Sequence, residues 1–331
     1  MTKRSHKNTN NAKPNHTKPS HEKLSDHLGI DVSKRQLDFS FGQGLHRNSV
    51  PNGVEGHAHL IEVCRLRPGV RVVCEATGGY EKKLVKALRK EGIETHVVMP
   101  LKVKCLAIAM GLMAKTDRID AEKLSLFSRT IELKATHVVS EHEEKLRELV
   151  MCRKHLVERL VQLAGRKENA GEMLGALIKK EERQTQRHLQ RIEKQIEQCI
   201  AEDKASEDKI ERMCQVKGVG RTVAACVLAH MPELGTIEDK TASALGGLAP
   251  YPNQSGPVER PSRIRGGRHE VRLALYPAAL CAMRHNPTLR KFNQRLKDKG
   301  KPGMVRVVAV MRKLLCLLNK ICADPEFSPL T

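Results

Sequence analysis

The segment His27-Leu28-Gly29-Ile30-Asp31-Val32 decides how the first part of the chain folds. Its apolar run, bounded by polar turn residues, predicts a buried strand that carries a carboxylate near its end. Two further strands, Gln36 to Phe41 and Gly44 to Val50, are predicted beside it because turn residues separate the three apolar runs. The first domain therefore begins with a meander of strands.

Alternating helices and strands are predicted after the meander. The helices cover about 54–66, 80–91, 101–110 and 117–130, and the strands cover 70–75 and 94–99. The order β-β-β-α-β-α-β-α predicts a mixed sheet with helices on both sides. It resembles the ribonuclease-H-like fold, in which carboxylates from strand one, strand four and a late helix meet. The resemblance implies that these carboxylates are Asp31, Glu75, Asp117 and Asp120.

The motif Ala114-Lys115-Thr116-Asp117-Arg118-Ile119-Asp120-Ala121-Glu122 has two interpretations. Its two aspartates are three residues apart at a helix start, so both project from one face. Asp117 can cap the helix while Asp120 completes an acidic capping box. Alternatively, the acids bind divalent cations, because clustered carboxylates raise one another's pKa unless a cation neutralises them. Two Mg²⁺ ions about 4 Å apart would then support phosphoryl transfer.

The strand acids also have ordinary alternative roles. Asp31 can begin a turn with Ser33 and Lys34, and Glu75 can be a solvated residue at a strand end beside Gly78-Gly79. Sugar kinases and actin-like ATPases share a first strand of the form Gly-x-Asp, but they follow it with a phosphate-cradling hairpin. Here Val32-Ser33-Lys34 replaces that hairpin, so ATP binding ranks below nucleic-acid chemistry.

Composition indicates a basic globular protein. Its 331 residues are 40% hydrophobic, enough for two or three domains with real cores. Lys and Arg number 59 against 38 Asp and Glu, and the resulting net charge of +21 favours a polyanionic partner. Nucleic acid is the first candidate and an anionic membrane surface the second. Because no spanning apolar run and no signal-peptide core is found, we expect a cytoplasmic protein.

The cysteine spacing and the scarcity of aromatic residues argue against two kinds of site, a Cys-x-x-Cys zinc or redox motif and an aromatic surface for stacking bases. Ten cysteines lie mostly in apolar stretches, and none forms a Cys-x-x-Cys pair, which favours reduced structural thiols over a zinc or redox motif. Aromatic residues make up only 2% of the chain, and Trp is absent. Readers of single-stranded bases normally stack them on aromatic side chains. The composition therefore predicts recognition of nucleic-acid backbone and shape.

Residues 1–25 and 139–213 are predicted to lie outside the sheet domain. The first segment is polar and basic and is expected to be a disordered arm, unless it is a cloning leader. The second carries apolar residues at three-four spacing in two registers, which predicts two helices or one interrupted coil. Gly165, Gly171 and Gly175 weaken it by roughly 1 kcal/mol each, so it needs a partner helix. Both an internal hairpin and a dimer satisfy that need.

The segment Val216-Lys217-Gly218-Val219-Gly220-Arg221-Thr222 begins the last predicted domain, 214–331. A Gly-x-Gly turn before an apolar helix exposes backbone N–H groups to which a phosphate can bind. It resembles the helix-hairpin-helix of nonspecific DNA binders, and predicts contacts from Lys217, Gly218, Gly220 and Arg221. A plain tight turn between helices is the alternative.

Ser255 lies in a Gly- and Pro-rich stretch, Gly246 to Gly256, which is predicted to be a loop. The arginines just after it are Arg260, Arg263, Arg265, Arg268 and Arg272. Guanidinium groups bind phosphate oxygens bidentately, so a serine beside them has the surroundings of a nucleophile for a phosphodiester. A simple turn is the alternative. The rest of this mainly helical domain contains apolar helices at 271–283 and 304–321.

These motifs together resemble the insertion-sequence "one-ten" family of transposases, relatives of the Piv and MooV invertases. The sequence Gly266-Gly267-Arg268, followed by Arg272-Leu273-Ala274-Leu275-Tyr276, is similar to the corresponding sequence of the "eleven-eleven" subgroup. The resemblance implies a RuvC-like domain at 26–138 whose catalytic and metal-binding acids are Asp31, Glu75, Asp117 and Asp120. It also implies a catalytic Ser255 in the C-terminal transposase domain.

The same resemblance implies a bacterial, nucleoid-associated DNA recombinase. It would need Mg²⁺ or Mn²⁺, be guided by a structured RNA from its own element, and work as a dimer or tetramer. A RuvC-like junction nuclease that needs only the acids, and a noncatalytic nucleic-acid scaffold that needs neither the acids nor the serine, are the alternatives.

Overall fold

The computed structural model describes residues 27–42, 48–112, 117–133, 139–255 and 258–328. The side chains of residues 117–118, 252–255 and 258–261 are outside this description. So are the predicted basic arm and the beginning of the predicted third strand. The chain forms two compact units, residues 1–136 and 137–331.

The first unit is built on a mixed five-stranded sheet. Its strands are β1 (His27–Val32), β2 (Gln36–Ser40), β3 (Asn48–Pro51), β4 (Arg71–Glu75) and β5 (Glu94–Val98), and its helices are α1 (Val54–Arg65), α2 (Lys82–Lys90), α3 (Pro100–Ala109) and α4 (Asp117–Thr130). The sheet order is β3-β2-β1-β4-β5. The meander β3-β2-β1 is antiparallel, while β4 and β5 extend it in parallel. The predicted α/β class and element order are confirmed.

Each face of this sheet is covered by a different apolar cluster. Residues of β1 and β4 alternate between the faces, so Ile30 and Cys74 pack with Leu60 and Leu84 of α1 and α2. On the other face, Val73 of β4 packs in a separate cluster with residues of α3 and α4: Val103, Leu124 and Phe127. The two clusters make three layers, with helices on both sides of the sheet.

Helix α4 lies unusually close to β1 because residue 29 is glycine. A Cβ atom at Gly29 would lie 2.1 Å from the carbonyl oxygen of Ala121 and 2.5 Å from the backbone nitrogen of Ser125. Ser125 uses this proximity, since its buried hydroxyl donates to the carbonyl oxygen of His27 at 2.7 Å. A residue without a side chain is therefore required where the helix crosses the strand.

The second unit is mainly helical. Its elements are α5 (Glu141–Lys167), α6 (Glu172–Ala201), α7 (Lys204–Cys214), α8 (Arg221–His230), α9 (Asp239–Leu245), β6 (Pro250–Ser255), β7 (Val258–Ile264), α10 (His269–His285), α11 (Pro287–Asp298) and α12 (Gly303–Ala323). Its core includes Ile210, Ala225, Leu275 and Leu314, all fully or almost fully buried. None of the helices described is long and apolar enough to span a membrane.

The predicted loop around Ser255 is wrong, because the chain forms a β-hairpin there. Strand β6 ends at Ser255, which pairs with Val258 of the antiparallel strand β7. Pro250 and Pro252 suggested a loop, since proline cannot donate to a central sheet. A two-stranded ribbon has free edges on which a missing N–H costs nothing, so the prolines are compatible with a strand.

Helices α5 and α6 pack as an antiparallel hairpin, which confirms two helices over one interrupted coil. A capping box between Ser140 and Glu143 begins α5, and Gly171 begins α6. Ion pairs join the two helices along their length: Lys145–Glu202 at 2.7 Å, Arg153–Glu193 at 2.9 Å, Arg159–Glu181, and Lys167–Glu182 at 3.0 Å. Exposed pairs are worth little individually, but their positions fix the antiparallel register.

Replacement of Gly29 by alanine tests the close contact between α4 and β1. Because the added methyl meets backbone atoms, we expect Gly29→Ala to destabilise the protein by about 1–3 kcal/mol. Gly165→Ala is the control, since a Cβ atom there meets open space within a helix and should stabilise by up to about 1 kcal/mol. Thermal unfolding followed by circular dichroism measures both changes. Equal effects of the two substitutions would contradict the role assigned to Gly29.

Candidate active site

Asp31 and Glu75 lie side by side at the carboxyl ends of two parallel strands. The register pairs Ile30 with Cys74, and one further step along each strand reaches Asp31 and Glu75. Alternation places both acids on the same face as Gly29 and Val73, which is the face that α4 covers. Both residues are half-buried. Strand geometry alone therefore brings these two predicted acids together.

Asp120 approaches the same point from the first turn of α4. Burial raises the pKa of the Glu75 carboxyl above its ordinary value, and the negative charges of Asp31 and Asp120 raise it further, while Lys123 partly offsets them. The Asp120 carboxylate forms an ion pair with the Lys123 ammonium at 2.7 Å. The structure thus gathers Asp31, Glu75 and Asp120 into one electrostatically coupled group.

Asp117 is the first residue of α4, three positions before Asp120. Its side chain is outside the described residues, so its contribution to the acidic group stays a prediction. In the part of the chain that the structure describes, the one group of His, Cys and acidic residues with ligand atoms all within 4.8 Å lies elsewhere, at His142, Cys199 and Glu202.

A further acid, Asp38, was missed by the sequence analysis. It lies directly opposite Asp31 in the antiparallel pair of β1 and β2, so both side chains are on the α4 face. Asp38 is only 6% exposed, and the Gln36 side-chain amide donates to both of its carboxylate oxygens at 3.1 Å. The register of the β1–β2 hairpin would have located Asp38, because the turn at Ser33–Gln36 and the buried Leu37 and Phe39 on either side of Asp38 together place this residue on the α4 face.

The loop after β4 is organised by the Glu81 carboxylate. It accepts hydrogen bonds from the backbone N–H of Thr77 at 3.2 Å, the Thr77 hydroxyl at 2.9 Å and the backbone N–H of Gly79 at 2.9 Å. Burial opposes the charged form, but these bonds lower the pKa of Glu81 below its ordinary value. The Glu81 carboxylate already occupies the N–H groups that a phosphate of ATP would need. The loop therefore resembles an occupied anion site and does not favour ATP binding.

The predicted arginine cluster divides into two groups. Arg263 and Arg265 are exposed, on and just after β7. Arg268 pairs with Glu233 at 2.6 Å and donates to the His230 carbonyl oxygen at 2.7 Å, and Arg272 donates to the Gly266 carbonyl oxygen at 2.5 Å. Arg263 and Arg265 are therefore the better candidates for contact with phosphate. The side chains of Ser255 and Arg260 are outside the described residues.

The two glycines of the Gly-x-Gly turn have different roles. Gly218 has φ +107°, and a Cβ atom there would lie 2.8 Å from the Ala282 nitrogen, so this glycine lets the turn pack on α10. Gly220 is exposed at the N-terminus of α8, where no side chain caps the helix. Arg221 is paired with Glu197 at 2.7 Å, whereas Lys217 is exposed. The uncapped N-terminus of α8 at Gly220 and the exposed Lys217 therefore remain candidates for binding a phosphate.

Comparison with known proteins identifies the class of this chain. A model of DEDD transposase domains matches residues 28–170, which include the acidic group, and a second transposase model matches residues 210–294, which include the β6–β7 hairpin. The protein is therefore a DNA transposase or recombinase, an enzyme whose substrate is DNA. The DEDD type of domain also indicates a divalent metal ion.

The two models together cover more than half of the chain, and the second describes transposases of the IS116/IS110/IS902 family. The chain belongs to this IS110-type transposase family. It is also similar to the pilin gene-inverting proteins of Moraxella bovis and Moraxella lacunata. Each is 26% identical over 301 residues, which are 88% of this chain and 94% of the relative.

Glu75→Gln tests the electrostatic coupling of the acids. A raised pKa in the folded state means that the Glu75 charge lowers stability as the pH rises through that pKa. We therefore expect the glutamine variant, in EDTA, to unfold at a higher temperature than the wild type at neutral pH. The difference should disappear at a pH low enough to protonate Glu75 in both the folded and the unfolded state.

The exposed Glu62 of α1 provides the matched control, since Glu62→Gln should leave the unfolding temperature unchanged at both pH values. Divalent metal should stabilise the wild type more than the Glu75→Gln protein, because one ligand is lost. A glutamine variant less stable than the wild type at neutral pH would show that the acids are not coupled as described.

Proposed function

We propose that this transposase cuts and rejoins DNA by Mg²⁺- or Mn²⁺-dependent phosphoryl transfer, with Ser255 as the nucleophile and a structured RNA as the guide. The proposal depends on the convergence of Asp31, Glu75 and Asp120, where burial and the charges of Asp31 and Asp120 raise the pKa of Glu75. Asp117, one helical turn before Asp120, is the fourth acid of this RuvC-like arrangement.

The acids provide a site suited to hard divalent cations. Carboxylate oxygens are the preferred ligands of Mg²⁺, and their mutual repulsion is relieved when a cation binds between them. Bound ions lower the pKa of an attacking oxygen and stabilise the leaving one. Asp120 must exchange its ion pair with Lys123 for metal, while Asp38, held by Gln36, adds negative potential on the same face.

The hairpin supplies the groups for a covalent step. Ser255 ends β6, and the exposed Arg263 lies on the paired strand, opposite Tyr251. The Ser255 oxygen would form a bond to the DNA phosphorus while the bond from phosphorus to a deoxyribose oxygen breaks, leaving a phosphoserine link and a sugar hydroxyl. A serine hydroxyl is a weak nucleophile until its proton passes to a base or to water, which a nearby metal would favour by lowering the hydroxyl pKa, and the departing deoxyribose oxygen takes up a proton in turn. Arg260, which pairs with Asn253, is the predicted arginine nearest to Ser255 along the hairpin and would offset the charge that develops on the attacked phosphate. Arg263 and Arg265 lie farther along the hairpin and would bind neighbouring phosphates of the same DNA.

The guide and the assembly are proposed from composition and from the helical hairpin. A net charge of +21 with only 2% aromatic residues suits binding to the backbone of a folded RNA, which leaves sequence recognition to base pairing. At the start of α6, Met173 is 83% exposed, and Leu174 and Leu177 are also exposed. Such an apolar patch suits a homo-oligomeric contact, as a dimer or tetramer working on DNA in the bacterial nucleoid.

Cleavage of a supercoiled plasmid carrying the element's ends tests the chemistry. We expect the wild type with Mg²⁺ and the element's own transcript to nick the plasmid and form a covalent protein–DNA adduct. Asp31→Ala and Ser255→Ala should each lose at least about 100-fold in rate, because the first removes a metal ligand and the second the nucleophile. Ser262→Ala on β7 of the same hairpin is the control and should keep its activity.

The outcomes separate the three functions. Cleavage without an adduct in Ser255→Ala would indicate a RuvC-like nuclease that acts without serine chemistry. Full activity in both variants would exclude the proposed acids and serine. A wild type that binds plasmid without cutting it, in the presence of its own element's transcript, would indicate a noncatalytic scaffold.

Copurified RNA tests the guide. We expect purified protein to carry a discrete transcript from the element flanking its gene, which sequencing identifies. The affinity for that RNA should fall steeply with salt, because Lys and Arg contacts release counterions. An affinity that is unchanged between low and high salt, or RNA of random sequence, would contradict a specific guide.

A further inference from the structure

A group of potential metal ligands lies at the base of the α5–α6 hairpin, in the second unit. His142 lies in the first turn of α5, Cys199 in the last turn of α6, and Glu202 directly after α6. One ligand atom from each lies within 4.8 Å of the other two. Three secondary-structure junctions meet here, because α7 begins two residues after Glu202.

His142 offers a nitrogen that has no other use in the structure. Its Nε2 atom is buried and has no hydrogen-bond partner among the residues described. Asp203 is the nearest acid, with a carboxylate oxygen 3.9 Å away. That carboxylate instead caps α7, accepting from the Ser206 hydroxyl at 2.6 Å and the Ser206 N–H at 3.2 Å. A buried imidazole nitrogen without a partner costs free energy unless a ligand satisfies it.

Cys199 lies on the protein side of this group of ligands, and Glu202 lies on the solvent side. Cys199 is fully buried, whereas the Glu202 side chain is 44% exposed, so an ion can enter from solvent past the carboxylate. One Glu202 oxygen accepts from the Lys145 ammonium at 2.7 Å, and the Gln198 side chain also hydrogen-bonds to this carboxylate. Each carboxylate oxygen has two lone pairs, so a metal can bind beside these donors. An exposed Lys–Glu pair is worth little by itself and does not explain why His142 and Cys199 meet here.

The geometry points to a zinc site formed by His142 Nε2, Cys199 Sγ and a Glu202 oxygen, with water as the fourth ligand. Zn²⁺ takes nitrogen, sulfur and carboxylate ligands in a tetrahedron, whereas Mg²⁺ prefers oxygen alone. Binding replaces the Cys199 thiol proton, which passes to solvent. This site therefore selects a different metal from the acids of the first unit.

Zinc at this position would fasten the base of the hairpin. It would join the beginning of α5 to the end of α6, whose residues Cys199 and Ile200 belong to the core of the second unit. A link between distant residues also restricts the unfolded chain, and metal binding adds directly to folding stability. Lys145, bonded to the ligand Glu202, would hold that carboxylate in place as an outer neighbour.

Cobalt substitution tests the site in the full chain. Protein stripped with EDTA and kept reduced is titrated with Co²⁺, which should give the thiolate-to-cobalt absorption and the intense visible bands of a tetrahedral ion at one equivalent. Cys199→Ser should lose the thiolate absorption, and His142→Ala should weaken binding. Cys152→Ser, at an exposed cysteine on α5, is the matched control and should bind as the wild type does. Zn²⁺ should then displace Co²⁺ and raise the unfolding temperature.

Absence of the thiolate band, or the same band in Cys199→Ser, would overturn the site. If the buried Cys199 variant does not fold, Glu202→Gln replaces it, since this change is at the surface and its fold is checked by circular dichroism. We expect that variant to bind Co²⁺ at least about tenfold more weakly; unchanged affinity would also overturn the site. Because no readout is DNA cleavage, the result is independent of the proposed chemistry of Ser255 and the acids.

Discussion

The contact of α4 with β1 at Gly29 is the constraint on which the acidic site depends. Without a side chain at that position, the helix backbone comes within reach of the strand, and Ser125 bonds the His27 carbonyl oxygen. The same approach brings the first turn of α4 to the carboxyl ends of β1 and β4. The strand register already places Asp31 beside Glu75, and Asp120 joins them because residue 29 has no side chain.

The resulting site is costly for the fold. Burial and the charges of Asp31 and Asp120 raise the pKa of Glu75, so the ionised Glu75 carboxyl destabilises the folded protein until a cation binds beside it. The rest of the chain has the opposite sign, with a net charge of +21. Such a positive field attracts DNA over long distances, while the acidic patch excludes phosphate from direct contact unless metal intervenes. Cation binding and DNA binding are therefore expected to depend on each other.

The sequence predicted the parts of this protein that depend on local patterns. Short apolar runs bounded by turn residues located β1 and β4, and their ends located Asp31 and Glu75. Ser255 was expected in a loop because Pro250 and Pro252 disfavour a sheet interior, yet a two-stranded ribbon tolerates both. Asp38 was missed because its position opposite Asp31 depends on the register of a hairpin. Arg268 was assigned to nucleic acid because its partner Glu233 is not adjacent in sequence.

The length of α5 gives its base a mechanical importance. A helix of 27 residues is about 40 Å long at 1.5 Å per residue, so it acts as a lever arm. By that geometry, a tilt of about ten degrees at the base displaces the far end by roughly 7 Å, more than a full helical turn. Whatever stiffens the junction at His142, Cys199 and Glu202 therefore sets how accurately the exposed tip around Met173 can be aimed at a partner.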